Sequence, residues 1–140
     1  MFEIQHLHPM VVHFPIAIIL VGFLADICSL VFKKAKCFST MGLYLETLGV
    51  LAAIVAFGTG YFLTGTTIDD AGAIGQNHKL FATLTLVTII IAGFFRLLIV
   101  YLKKDETYLK YVSMGLFLLA VAFVSVTGHF GAMIVYGGGI

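Results

Sequence analysis

The sequence predicts an all-α membrane protein, a four-transmembrane-helix bundle in up-down-up-down order with both termini outside. Three observations lead there. Of the 140 residues, 61% are hydrophobic and 11% are charged, and the mean hydropathy is +1.10; a soluble domain carries about a quarter charged residues. Four apolar runs are long enough to cross a bilayer, which takes roughly 20 residues of helix. The lysines are divided unequally among the connections between those runs.

The first run extends from Pro9 to Val31. Its leader, MFEIQHL, has no basic segment and no convincing cleavage site follows, so it reads as a retained helix and not a signal peptide. Pro9 suits a first helical position, where its missing N–H would lack a partner anyway. It also holds His8 extended. Pro15 removes one helical hydrogen bond and crowds the turn behind it, which loosens the backbone near Val11 and lets His13 depart from a regular helical direction. The second run is Met41 to Leu63, the third Leu80 to Leu102, and the fourth Tyr111 to about Tyr136. With no repeat and no low-complexity tract, residues 1–140 form a single membrane domain.

The connections read FKKAKCFST, TGTTIDDAGAIGQNHK and KKDETYLK. Lys33, Lys34, Lys36, Lys103, Lys104 and Lys110 lie in the first and third, against Lys79 alone in the second. Basic residues concentrate on the cytoplasmic side, so the middle connection and both termini are expected outside. A net charge of +1 gives no reason to expect a nucleic-acid partner. Cys28 and Cys37 fall in the first helix and the cytoplasmic loop, where a disulfide is not expected. No C-x-x-C-H is present, which excludes covalent c-type haem.

This topology gathers the histidines. His6 and His8 precede or open the first helix on the outer side, His13 lies just over a turn inside it, His78 opens the third helix, and His129 is near the outer end of the fourth. His6, in the wet leader, reads as an interfacial residue. His8, His13, His78 and His129 read as ligands, since ionisable residues within a membrane are functional candidates and neutral imidazole is a common metal ligand. On an ideal helix His8 and His13 point about 140° apart, so they serve two sites, or one across a kink. Gly58, Gly60, Gly128 and Gly131 share the layer. They permit close helix packing and equally leave room for a flat macrocycle. Structural zinc would bring cysteine or carboxylate at tighter spacing, while copper or zinc on several imidazoles stays open. Haem b needs axial histidines, apolar walls and small residues, and is preferred.

These residues resemble a family of bacterial membrane proteins known as domain of unknown function 2231. Its opening pattern H-P-x-x-V-H-F-P-I-A is similar to His8, Pro9, Val12, His13, Phe14, Pro15, Ile16 and Ala17. Its closing G-H-x-G, followed by V-Y and glycines, is similar to Gly128, His129, Gly131, Val135 and Tyr136, and a middle histidine corresponds to His78. The family often has a further histidine after V-Y, where this chain has Gly138. The resemblance implies a whole-chain four-helix unit in a bacterial inner membrane, associated with respiratory proteins and cytochrome c modules.

A second polar layer is expected at the cytoplasmic end. Asp26, Glu46 and Arg96 occupy similar depths near the ends of three helices. An isolated charge there costs a few kcal/mol, so a structural ion pair is expected, with Arg96 bridging one or both carboxylates; the alternative is a proton entry point from the cytoplasm, and the absence of a histidine relay argues against a continuous proton path. The sequence therefore leads to a membrane electron-transfer subunit, not a stand-alone catalyst. It would hold one or two haems b through His8, His13, His78 and His129, between other membrane redox subunits and an outer-face cytochrome c. A copper or zinc binding or transport protein, and a structural subunit without cofactor, are the alternatives.

Overall fold

Most large apolar side chains point outward, and small or polar ones fill much of the interior around a few buried isoleucines and Phe117, unlike a water-soluble bundle. Phe14, Val31, Leu51, Phe62, Phe94 and Leu118 are more than half exposed, while Ala25, Ala53, Ala56, Ala92 and Ala120 are buried. An apolar exterior on this scale needs lipid to cover it, and small interior residues let helices approach closely.

The computed structural model describes residues 7–103 and 108–137; His6, Lys104 and Gly138 lie outside these. The helices are α1 (Leu7–Val31), α2 (Lys36–Leu63), α3 (Gly65–Asp70), α4 (Gly72–Tyr101) and α5 (Tyr108–Gly137). Four of them, α1, α2, α4 and α5, are long and apolar enough to span a membrane. Pro15 stands inside α1 without ending it, as neighbouring helices in a membrane make possible.

The helices extend beyond the apolar runs. Helix α2 begins at Lys36, and α4 begins at Gly72, well before Leu80. Hydropathy marks the part of a helix that meets lipid, whereas the helix itself continues to the next turn. His78 therefore sits about two turns inside α4 and does not open it. The larger departure is TGTTIDDAGAIGQNHK, expected as a connection and found helical on both sides of Ala71. The hydroxyl of Thr64 donates to the Gly60 carbonyl at 2.9 Å, and the Ile68 N–H bonds back to Thr64 at 3.0 Å. Gly72 turns the chain at φ +57°, a conformation that glycine adopts without steric cost. Gly75 then brings α4 against the Ile68 carbonyl, where a Cβ would collide. The segment is illegible as helix because it is short and polar, with Ile68 and Ile74 its only large apolar residues.

Helix α1 packs along α2, and α4 along α5; contacts of α2 with α4 and α1 with α5 join the pairs. Side chains of α1 meet glycines of α2 in order: His8 at Gly60, Ile19 at Gly49 and Asp26 at Gly42, while Gly22 meets Glu46. Midway, Ile19, Ala53, Ile89, Ala92, Phe117 and Ala120 form a dry core. The histidines lie to one side of this core and the charged trio to the other.

Candidate functional site

On the histidine side the helices enclose a cavity of about 480 Å³, within the few hundred to a thousand Å³ typical of cofactor and ligand sites. Ile19, Ala53 and Leu86 line it at the core end, Thr127, Gly128 and Gly131 line it from α5, and Thr64, Thr67 and Ile68 close over it. The unexpected helix α3 is thus part of a lid.

His8 and His78 enter from α1 and α4 and are both half-buried in this lining. The His8 ring lies on Gly60, where a Cβ would come within 2.8 Å of Cε1. Its Nδ1 is 3.0 Å from the Thr59 hydroxyl, and that hydroxyl donates its own proton to the Ala56 carbonyl at 2.8 Å. Thr59 can therefore only accept, so Nδ1 of His8 carries the proton. Nδ1 of His78 lies 3.1 Å from the Thr127 carbonyl, which also only accepts. Both neutral rings hold hydrogen on Nδ1 and a lone pair on Nε2. No hydrogen bond among the described residues uses either Nε2.

His13 is exposed, though it lines the same cavity, and its Nδ1–H bonds to the Pro9 carbonyl. His129 is exposed and stands edge-on to Phe130, with ring centroids 5.8 Å apart; it is not part of the lining. The fold thus brings His8, His78 and His13 to one cavity and leaves His129 apart. Among the described residues, no three of His, Cys, Asp and Glu converge as a bare metal ion would require. Cys28 and Cys37 are free.

Asp26, Glu46 and Arg96 do meet across the core. Nη2 of Arg96 donates to Oδ1 of Asp26 at 2.7 Å and to the Ser39 carbonyl at 3.1 Å. Nε lies 3.5 Å from Oε2 of Glu46. At the other end, Lys79 pairs with Asp69 on the surface.

Sequence reasoning missed Thr59, Thr127, Ser39 and the α3 lid. For Thr59 the hydroxyl beside Gly60 in FGTG is a step on which an imidazole can lie and be held, whereas His78 is held by the Thr127 backbone carbonyl, which no residue type announces.

Four candidate spans around a histidine-lined apolar cavity define a multi-pass membrane protein with an internal site. The chain belongs to the family described as predicted membrane protein (DUF2231), whose model matches residues 5–140. No curated protein and no solved structure gives a significant match.

Proposed function

We propose that the protein binds haem b in the cavity and serves as an electron-transfer subunit of a membrane redox assembly. The observation that carries this reading is the shared state of His8 and His78: each ring is fixed through Nδ1 and offers the Nε2 lone pair. A ligating histidine characteristically donates its other N–H to an oxygen in this way, which fixes its tautomer and orientation. The residues fit the group: His8 and His78, seated on Gly60 and Gly131, would hold its iron, Gly128 leaves space in the cavity wall, and Ile16, Ile19, Leu86 and Val124 keep water away. Haem, when bound, supplies reversible one-electron chemistry. Thr59 and the Thr127 carbonyl orient the imidazoles, and the α3 lid limits access. His13 is placed for a second contact at the cavity, while His129 would act outside it.

Copper or zinc on the same histidines is the weaker reading, because a bare ion needs three or four converging ligands and two imidazoles suffice for haem.

The lysine distribution supports an up-down-up-down course with both termini and the cavity on the periplasmic side of a bacterial inner membrane. A cytochrome c at that face and a membrane donor are the partners this orientation suits. Purified protein, expressed with adequate haem supply, should show a reduced b-type spectrum and a stoichiometric pyridine haemochrome. His8→Ala and His78→Ala should each lower haem content severalfold, and His129→Ala should leave it largely intact. Wild-type protein without haem, or full occupancy in both His8→Ala and His78→Ala, would refute the proposal.

A further inference from the structure

The charged trio does not balance. Asp26 and Glu46 face a single guanidinium, and the three side chains are no more than 3% exposed. Arg96 spends its short hydrogen bonds on Asp26 Oδ1 and Ser39. Among the described residues, both oxygens of Glu46 and Oδ2 of Asp26 have no hydrogen-bond partner. The two carboxyl groups nevertheless flank one guanidinium, Oδ1 of Asp26 2.7 Å from Nη2 and Oε2 of Glu46 3.5 Å from Nε, which makes them neighbours. Ionised carboxylates only accept, so two of them in contact repel, and a buried net charge is costly. Glycines build this contact: Gly42 abuts the Asp26 carboxyl and Gly22 sits against Cγ of Glu46. Among the described residues the further charge acting on the group is Lys110, toward Asp26 from the start of α5, half-buried at the lysine-rich end.

We propose that this cluster is a proton-binding site, in which Glu46 carries an exchangeable proton and donates it to Oδ2 of Asp26 while Asp26 remains ionised against Arg96. The assignment follows from the partners. Asp26 accepts the short charged bond and Arg96 holds it ionised, whereas Glu46 has only the longer approach to Nε. Protonation pairs an otherwise unpartnered oxygen on each carboxyl and brings the trio to neutrality. Release is simple acid dissociation: the Glu46 O–H bond breaks, the proton passes to water, and the cluster keeps one negative charge. Exchange belongs to the lysine-rich end, because the dry core separates the cluster from the histidine cavity. This inference is independent of haem.

Infrared spectroscopy of the full chain in lipid nanodiscs tests it. At neutral pH the wild type should show the carbonyl band of a protonated carboxylic acid, shifted down in D₂O. Labelling glutamate with ¹³C at its side-chain carboxyl should shift the same band without any substitution. Glu46→Gln should abolish the band and melt within a few degrees of wild type, since the amide mimics the neutral acid as a donor. Absence of the band in wild type overturns the proposal, as does a band insensitive to glutamate labelling. Stabilisation by sodium over choline chloride that is lost in Glu46→Gln would also overturn it, by making the ligand a metal cation.

Discussion

Replacing Arg96 with leucine removes the cation that, among the described residues, is enclosed with Asp26. Asp26 is 0% exposed, so it would be left as a buried, unpaired carboxylate. Breaking a buried pair in this way typically costs about 3–5 kcal/mol. An upper bound comes from protonation: neutralising an ordinary aspartate at pH 7 requires crossing about three pH units at 1.36 kcal/mol each, or about 4 kcal/mol. The expected loss is therefore about 3–4 kcal/mol at pH 7, a substantial share of the margin of a protein stable by about 5–15 kcal/mol. The sign with pH follows from linkage. The folded variant binds a proton that the unfolded chain releases at neutral pH, so its stability falls as pH rises and recovers as pH drops. At pH 5 only about one unit separates the solution from ordinary aspartate, so the deficit should shrink by about 2–3 kcal/mol. Equilibrium unfolding in mixed detergent–SDS micelles at the two pH values measures this. Arg96→Leu combined with Asp26→Asn should recover most of the loss, since the orphaned charge has gone. A deficit below about 1 kcal/mol at pH 7, or one equal at both pH values, would refute the ion-pair reasoning.

Two further outcomes are expected. Cys37, exposed in the first turn of α2 beside the lysines, should react with a membrane-impermeant thiol reagent only after cells are opened; labelling of intact cells would invert the proposed orientation. Gly60→Val should displace the His8 ring, which a Cβ would approach to 2.8 Å, and should lower haem content as His8→Ala does, whereas Gly58→Ala, which meets nothing within 4 Å, should retain haem; equal retention by both variants would show that the seat at Gly60 is irrelevant.

The four spans were legible because a bilayer imposes length and hydropathy directly, and these survive without tertiary context. The trio Asp26, Glu46 and Arg96 was legible for a related reason: charges at matching depth must find one another when water is absent. Histidine depth was read, but histidine direction was not. A five-residue offset between His8 and His13 implied different facings, yet only packing decides which ring is held inside the cavity, and Gly60 decides it for His8. For His129, depth alone suggested membership, while its position on α5 turns it away. Pairing through Thr59 and Thr127 depended on contacts roughly fifty residues distant in sequence, which no local pattern encodes. The α3 lid escaped because its helicity depends on Gly72 and Gly75 fitting around Ile68.

One packing register links the two polar sites. The eighteen residues from His8 to Asp26 on α1 are matched by the eighteen from Gly60 back to Gly42 on α2, with Ile19 on Gly49 between them and Gly22 against Glu46. At every step a glycine on one helix receives a side chain of the other, and the outermost steps receive an imidazole and a carboxylate. Interiors pack too closely to accept a partial slip. A displacement of α1 along α2 would therefore unseat His8 and Asp26 together, breaking the Thr59 contact at one end and the Arg96 contact at the other. The dry core offers protons no path between the sites, but this register supplies a mechanical connection across it. Charging the inner cluster by removing its proton would strain the same α1–α2 interface that positions His8. Ile19 on Gly49 is the step of that interface that the core and the cavity share, and α4, which carries both His78 and Arg96, is the second element that joins the two sites.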